Sequence, residues 1–221
     1  MAGRHTIPKF DRILLIRCGS DVEDRLWDFP AAPEDSSNLV FLHGDAVESA
    51  DRLKTLAVRS HAASFQVCRT SWCRRHPGRA PAPPFELSTL TRLIASIAAG
   101  AGRVDSDGLS GACCSQGSGD GGYLLEIAFA PDSPRQAEET VEWLLAAASL
   151  ELDVRVLFSA GGLAHLRGEF APAWRQFIDF DLAGLYAQTG NRVDPLDVDA
   201  RCIEPSDAIG LRGDRRQVIL L

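Results

Sequence analysis

Residues 105–122, DSDGLSGACCSQGSGDGG, cut the 221-residue chain in two. They hold six glycines and four serines and carry no hydrophobic period, so they have nothing to bury and read as an exposed, flexible linker. The linker leaves two pieces, 1–104 and 123–221, each of about 100 residues and near the lower end of the usual domain range. Both pieces present the same order of signals. RILLI (12–16) is followed by a turn and then by NLVFLHGDAVESA (38–50); YLLEIAF (123–129) is followed by a turn and then by DVRVLFSAGGLAHL (153–166). Short continuous apolar runs bounded by turn residues suit strands buried on both faces of a parallel sheet. Corresponding strands recur after about 110 residues, which is the period of a duplicated domain and not of a solenoid.

Helical patterns alternate with these strands. In the second piece Ser133 is placed as an N-cap, Pro134 as the first helical residue and Gln136 as the partner in a capping box. Ala137, Val141, Leu144, Leu145 and Ala148 then fall on one face. The matching crossover of the first piece, residues 22–37, is broken by Pro30 and Pro33 and reads as a stub. Residues 49–61 and 85–100 read as helices, the second with Leu87, Leu90, Ile94, Ile97 and Ala98 along one side. SFQVC (64–68) reads as a strand ending on cysteine, PGRAPAPP (77–84) as a loop and QVILL (217–221) as a closing strand, while GRVDS (102–106) makes a poor strand. Alternating strands and helices predict an α/β fold in both halves, with ligands and catalytic groups beyond the carboxyl ends of the strands. Cys68 stands at such an end.

Composition narrows the chemistry. The formal charge is −7, from 23 basic and 30 acidic residues, which argues against an electrostatic nucleic-acid binder. The first ten residues carry no signal-peptide pattern and no apolar run spans a bilayer, so a cytoplasmic protein with reduced thiols is expected. No Walker, G-x-S-x-G or H-E-x-x-H pattern occurs, the glycines of the linker are not read as a nucleotide-binding loop, and no cofactor is expected.

Six cysteines remain, at 18, 68, 73, 113, 114 and 202. SFQVCRTSWCRRHPGR (64–79) surrounds Cys68 and Cys73 with Arg69, Arg74, Arg75, Arg79 and His76, with no acidic residue among them. Positive charge and a helix N-terminus favour thiolate over thiol, and a thiolate attacks persulfide or disulfide sulfur. The competing reading makes Cys68 a buried strand cysteine and the arginines a solvated face. Cys68, Cys73 and His76 also form C-x4-C-x2-H, but four arginines oppose a cation and no paired C-x2-C is present, so no metal is expected. His43, at the end of NLVFL, is placed to share a site with Cys68; Cys18 is expected to pack, Cys113 and Cys114 to lie incidentally in the linker, and Cys202 to sit on a strand.

With these residues in place, the chain resembles the DsrE/DsrF-like sulfur-relay family, which includes the TusD and TusC subunits. In the first half VFLHGDAVESADRL (40–53), FQVCRTSWCRRHPG (65–78) and FELSTLTRLIASIAAGAGRV (85–104) look like three successive TusD/DsrE blocks. In the second half residues 130–166, FIDFDLAGLY (177–186) and QVILL look like TusC/DsrF. The resemblance implies two tandem flavodoxin-like, three-layer domains with mainly parallel sheets: a TusD-like one at 1–104 and a TusC-like one at 123–221. It implies a hetero-oligomeric sulfurtransferase that holds sulfane sulfur as a persulfide on Cys68, with Arg74 and Arg75 matching the family's arginine pair. A TusA-like donor, a DsrC/TusE-like acceptor and a DsrH/TusB-like subunit are its implied partners, in tRNA 2-thiouridylation or sulfur oxidation. No cofactor, nucleic-acid contact or membrane is implied. Arg69-Thr70-Ser71-Trp72 replace the small residues of the family pattern, and Cys73 is an added thiol that would act as a resolving cysteine in a 68–73 disulfide. These departures carry two alternatives: a non-catalytic assembly or regulatory subunit, and a Cys68/Cys73 redox sensor.

Overall fold

The first apolar run forms β1 (Arg12–Ile16), and β2 (Asn38–Leu42) lies parallel beside it with Ile16 opposite Leu42. A computed structural model describes residues 7–17, 22–29, 37–59, 63–100, 103–106, 121–190 and 194–221. Cys18, Cys113, Cys114 and linker residues 107–120 lie outside the described residues, while 105–106 and 121–122 of the stretch read as linker belong to strands. β3 (Ala63–Cys68) pairs with β2, β4 (Phe85–Ser88) with β3, and β5 (Arg103–Ser106) with the free side of β1, all parallel. The order is β4-β3-β2-β1-β5. In the second half β6 (Gly121–Ile127), β7 (Val154–Phe158), β8 (Gly184–Gln188), β9 (Arg201–Ile203) and β10 (Arg215–Leu220) form a second parallel sheet in the order β10-β6-β7-β8-β9. Numbered within its half, each sheet reads 4-3-2-1-5. Contacts divide the chain into two units, Met1–Asp107 and Gly108–Leu221.

The protein is therefore α/β, with two five-stranded, all-parallel sheets. Flavodoxin runs 2-1-3-4-5, so the flavodoxin-like expectation holds for the parallel sheet and not for the strand order.

Burial follows the two-residue period of the strands. Leu14, Ile16, Val40, Leu42, Phe65, Val67 and Phe85 form one core with Val22 and Leu26 of α1 (Val22–Asp28), Leu53 of α2 (Ala50–Arg59) and Trp72 of α3 (Arg69–Arg75). The intervening Ile13, Leu15, Leu39 and Phe41 are equally inaccessible and face the other way. The crossover from β4 to β5 crosses the sheet in the opposite direction, so right-handedness puts α4 (Leu90–Ala98) on that second face. In the second unit Leu157 packs with Ala208 and Leu211 of α7 (Pro205–Gly213). The next residue, Phe158, meets Trp174 of α6 (Ala171–Asp179) edge to face at 4.8 Å. Adjacent strand residues point to opposite faces, so helices cover both sides.

Several expectations are met and several are corrected. The first crossover is the short α1, and α5 (Pro134–Ala148) has Ser133 as its N-cap, Ser133 Oγ accepting from the Gln136 amide at 3.2 Å; the return bond of the capping box is displaced by one residue, Gln136 Oε1 accepting from the Asp132 amide at 2.5 Å. Leu145, however, is exposed, and Trp143 and Ala147 complete the buried face instead. The segment 85–100 is a strand followed by a helix: Thr89 caps α4 by accepting from the Arg92 amide at 3.1 Å, so Leu87 belongs to β4. Residues 103–106 do pair as a strand, and the Asp105 carboxylate meets Arg12 of β1 at 2.8 Å. The first sheet thus runs through 105 and 106, past the domain edge read at 104.

The duplication extends to single bonds. The His43 amide donates to the Ile16 carbonyl, and the Ser159 amide to the Ile127 carbonyl, each at 2.9 Å. The next residues, Gly44 and Ala160, both take left-handed backbone, with φ of +58° and +47°. Register then equates Cys68 with Gln188 and Ser88 with Ile203.

Candidate functional site

In the first unit the chain leaves β3 into α3, on the face of the shared core, and leaves β4 into α4, on the other. Where neighbouring strands send the chain to opposite faces, a crevice opens at their carboxyl ends, and open α/β sheets place ligands there. The last residues of these two strands are Cys68 and Ser88, which are direct register partners. His43 stands on the other side of Cys68, since Leu42 pairs with Val67 and His43 continues β2 in extended conformation. The row His43, Cys68, Ser88 crosses three strand ends with exposures of 0%, 0% and 5%. Phe65, Val67 and Phe85 occupy the core on the opposite face, so Cys68 and Ser88 project together to the α4 side. Among the described residues the Ser88 hydroxyl has no hydrogen-bond partner.

Cys68 is also the N-cap of α3, in extended conformation, with no side-chain capping bond. Residues 69–72 explain how so short a helix holds its place. The Trp72 indole is buried and donates to the Arg79 carbonyl at 2.6 Å, and its ring lies 4.2 Å from that of His76. Ser71 Oγ accepts from the Gly44 amide at 3.2 Å and lies 3.1 Å from His43 Nδ1. Arg75, its side chain 3% exposed, forms ion pairs with Asp45 and, at 3.7 Å, with Glu48, both on the turn Gly44–Ser49 after β2. Arg79 meets Asp51 at 2.7 Å.

These contacts correct the reading of a basic island. No acidic residue lies near the arginines in sequence, yet Asp45, Glu48 and Asp51 reach them in space. Arg75 acts as a clamp between α3 and the turn after β2, whereas Arg69 and Arg74 are exposed. Cys73 is exposed too, and no disulfide joins it to Cys68. From an N-cap to the fifth residue beyond, helix geometry separates Cα atoms by about 8 to 9 Å, more than the roughly 7 Å a disulfide tolerates. The structure therefore brings Cys68 and His43 together and points Cys73 to solvent.

A comparison with family models gives no match. Comparisons with curated proteins and with solved structures give none either. The second unit supplies the internal comparison instead. Gln188 stands where Cys68 stands, Ser159 replaces His43, and an ion pair fills the strand ends. Arg212 donates from Nε and Nη2 to the two carboxylate oxygens of Glu126, at 2.8 and 2.6 Å, and from Nη2 to Gln188 Oε1 at 3.2 Å. Ser159 Oγ donates to the same carboxylate at 2.8 Å. Burial pulls the Glu126 carboxyl up; the bonds from Arg212 and Ser159, with the Arg212 charge, outweigh it and hold the group below its ordinary value. Cys202 lies on β9, at the position of Leu87, and is exposed. Among the described residues no three His, Cys, Asp or Glu side chains group as a metal site, and no helix is long and apolar enough to cross a membrane.

Sequence reading missed Ser88 because Leu87, Leu90, Ile94 and Ile97 also fit a helical period. The signal was present in the alternation F-E-L-S followed by a threonine N-cap.

Proposed function

We propose that the chain is a sulfur-relay protein of DsrE/DsrF-like type, two such domains in tandem, carrying sulfane sulfur as a persulfide on Cys68. The observation that carries this reading is the position of Cys68: a thiol at the switch-point end of a parallel strand, between a histidine and an unpartnered serine hydroxyl. The Cys68 thiolate attacks the outer sulfur of a donor persulfide; the donor S–S bond breaks, a new S–S bond forms on Cys68, and the donor leaves as a thiolate. An acceptor thiolate then attacks the outer sulfur and restores Cys68, with no net oxidation. TusA-like donors and DsrC/TusE-like acceptors, with a DsrH/TusB-like subunit, are the partners this chemistry would take, in the cytoplasm. Cys68 is fully buried, so transfer requires a local opening that exposes its side chain.

Incubation with a persulfide donor, followed by mass analysis of cysteine peptides, tests the reading. An adduct of about 32 Da is expected on the Cys68 peptide, removable by an acceptor thiol and gone in Cys68→Ser. Absence of any adduct on wild-type Cys68 would overturn the relay reading. It would favour a non-catalytic assembly subunit, for which the full burial of Cys68 speaks.

A further inference from the structure

Among the described residues Ser88 Oγ is a buried hydroxyl without a partner, whereas Ser71 bonds with Gly44 and His43, and Thr89 with Arg92. Buried polar groups are normally hydrogen-bonded, and an unmade bond of this kind is destabilising. The orphan is the register partner of Cys68 and lies on the same face of the sheet. It is not hydrogen-bonded to Cys68 Sγ. Neighbouring strands stand about 4.8 Å apart, and a second sulfur bonded to Sγ would extend about 2 Å beyond it. An outer sulfur on Cys68 would therefore lie on the face of the sheet that carries the Ser88 hydroxyl. The nine-residue α4 begins two positions after Ser88, and its first turn adds amides and a positive dipole end on the side where the negative charge would stand.

We propose that Ser88 is the hydrogen-bond donor that holds the outer sulfur of a Cys68 persulfide, which deepens the relay reading and rests on it. The hydroxyl donates its proton to the anionic sulfur as a charge-assisted bond; it neither forms nor breaks a covalent bond. The persulfide is thereby kept from adventitious small nucleophiles until a partner opens the site.

The full chain, loaded with glutathione persulfide and freed of donor, is exposed to cyanide, and the adduct on the Cys68 peptide is followed by mass spectrometry. Loss of the adduct is expected to be about tenfold faster in Ser88→Ala, the scale of one hydrogen bond to a charged group. In Ser88→Thr, which keeps a hydroxyl, it is expected to stay within about twofold of wild type. Equal lifetimes in wild type and Ser88→Ala overturn the role of the hydroxyl and leave the relay intact, whereas no adduct on wild type overturns both. Thermal melts separate this from a structural role. Ser88→Ala should melt no lower than wild type, and a clear fall would identify the hydroxyl as a folding contact and overturn the proposal.

Discussion

Glu126 and Arg212 show what a charged pair does at a strand end when no thiol is present. The carboxylate is largely buried and bonded by Arg212 and Ser159, so its proton leaves at lower pH in the folded chain than in the unfolded one. Its contribution to stability is complete above the unfolded value, about 4.3, and is lost as pH falls through the lower folded value. Arg212→Met removes the partner and leaves burial as the dominant influence, so the carboxyl of the variant titrates above its unfolded value. Urea unfolding of Arg212→Met at pH 7 should show a loss of about 2 to 3 kcal/mol. The deficit should shrink toward pH 4 as the variant's carboxyl is neutralised, and further below that as wild type passes through its own lowered value and loses the ion pair. A deficit that is constant with pH would show that Glu126 carries no linked proton. At the same scale Cys68 was legible in the sequence and its neighbours were only partly so. His43 stood out at a strand end; Ser88 did not, because its importance lies in pairing with a residue twenty positions away.

At the scale of elements, α3 is held by the residues at which the sequence departs from the pattern it resembles. Ser71 and Trp72 look anomalous beside Cys68, yet one ties α3 to the turn after β2 and the other fills the core beneath it. The arginines read as an activating field include Arg75, which is bound to carboxylates of that turn. Sequence separation hid this, since Asp45 and Arg75 lie thirty residues apart and meet only because β2 and β3 are adjacent. The turns after β2 and β7 share a left-handed residue, which Gly44 adopts without steric cost and Ala160 does not. Ala160→Gly should therefore raise the unfolding free energy by about 0.5 to 1 kcal/mol, after the entropy that glycine adds to the unfolded chain is subtracted. A calorimetric melt of the variant checks it, and an unchanged or lower melting temperature would show that the alanine is unstrained.

At the scale of the molecule, two units share one strand order and differ in the residues at their strand ends. Unit one ends in histidine, cysteine and serine, and unit two in serine, glutamine and isoleucine beneath an ion pair. One transferable sulfane per chain is expected, with none in Cys68→Ser despite the exposed Cys202, and quantifying thiocyanate released by cyanide against protein concentration tests this. A value near two would give the second unit a carrier thiol of its own. The duplication and the parallel strands were legible because apolar runs bounded by turns are local signals. So were the capped α5 and the thiol at the end of β3, which depend on residues a few positions apart. The tertiary structure alone decided the 4-3-2-1-5 order, the switch of crossover direction between β3 and β4, the neutralisation of Arg75, and the pairing of Cys68 with Ser88 and of Arg212 with Glu126. Each of these is a contact between residues far apart in the chain, set by which strands lie side by side, and a one-dimensional pattern carries no record of that adjacency.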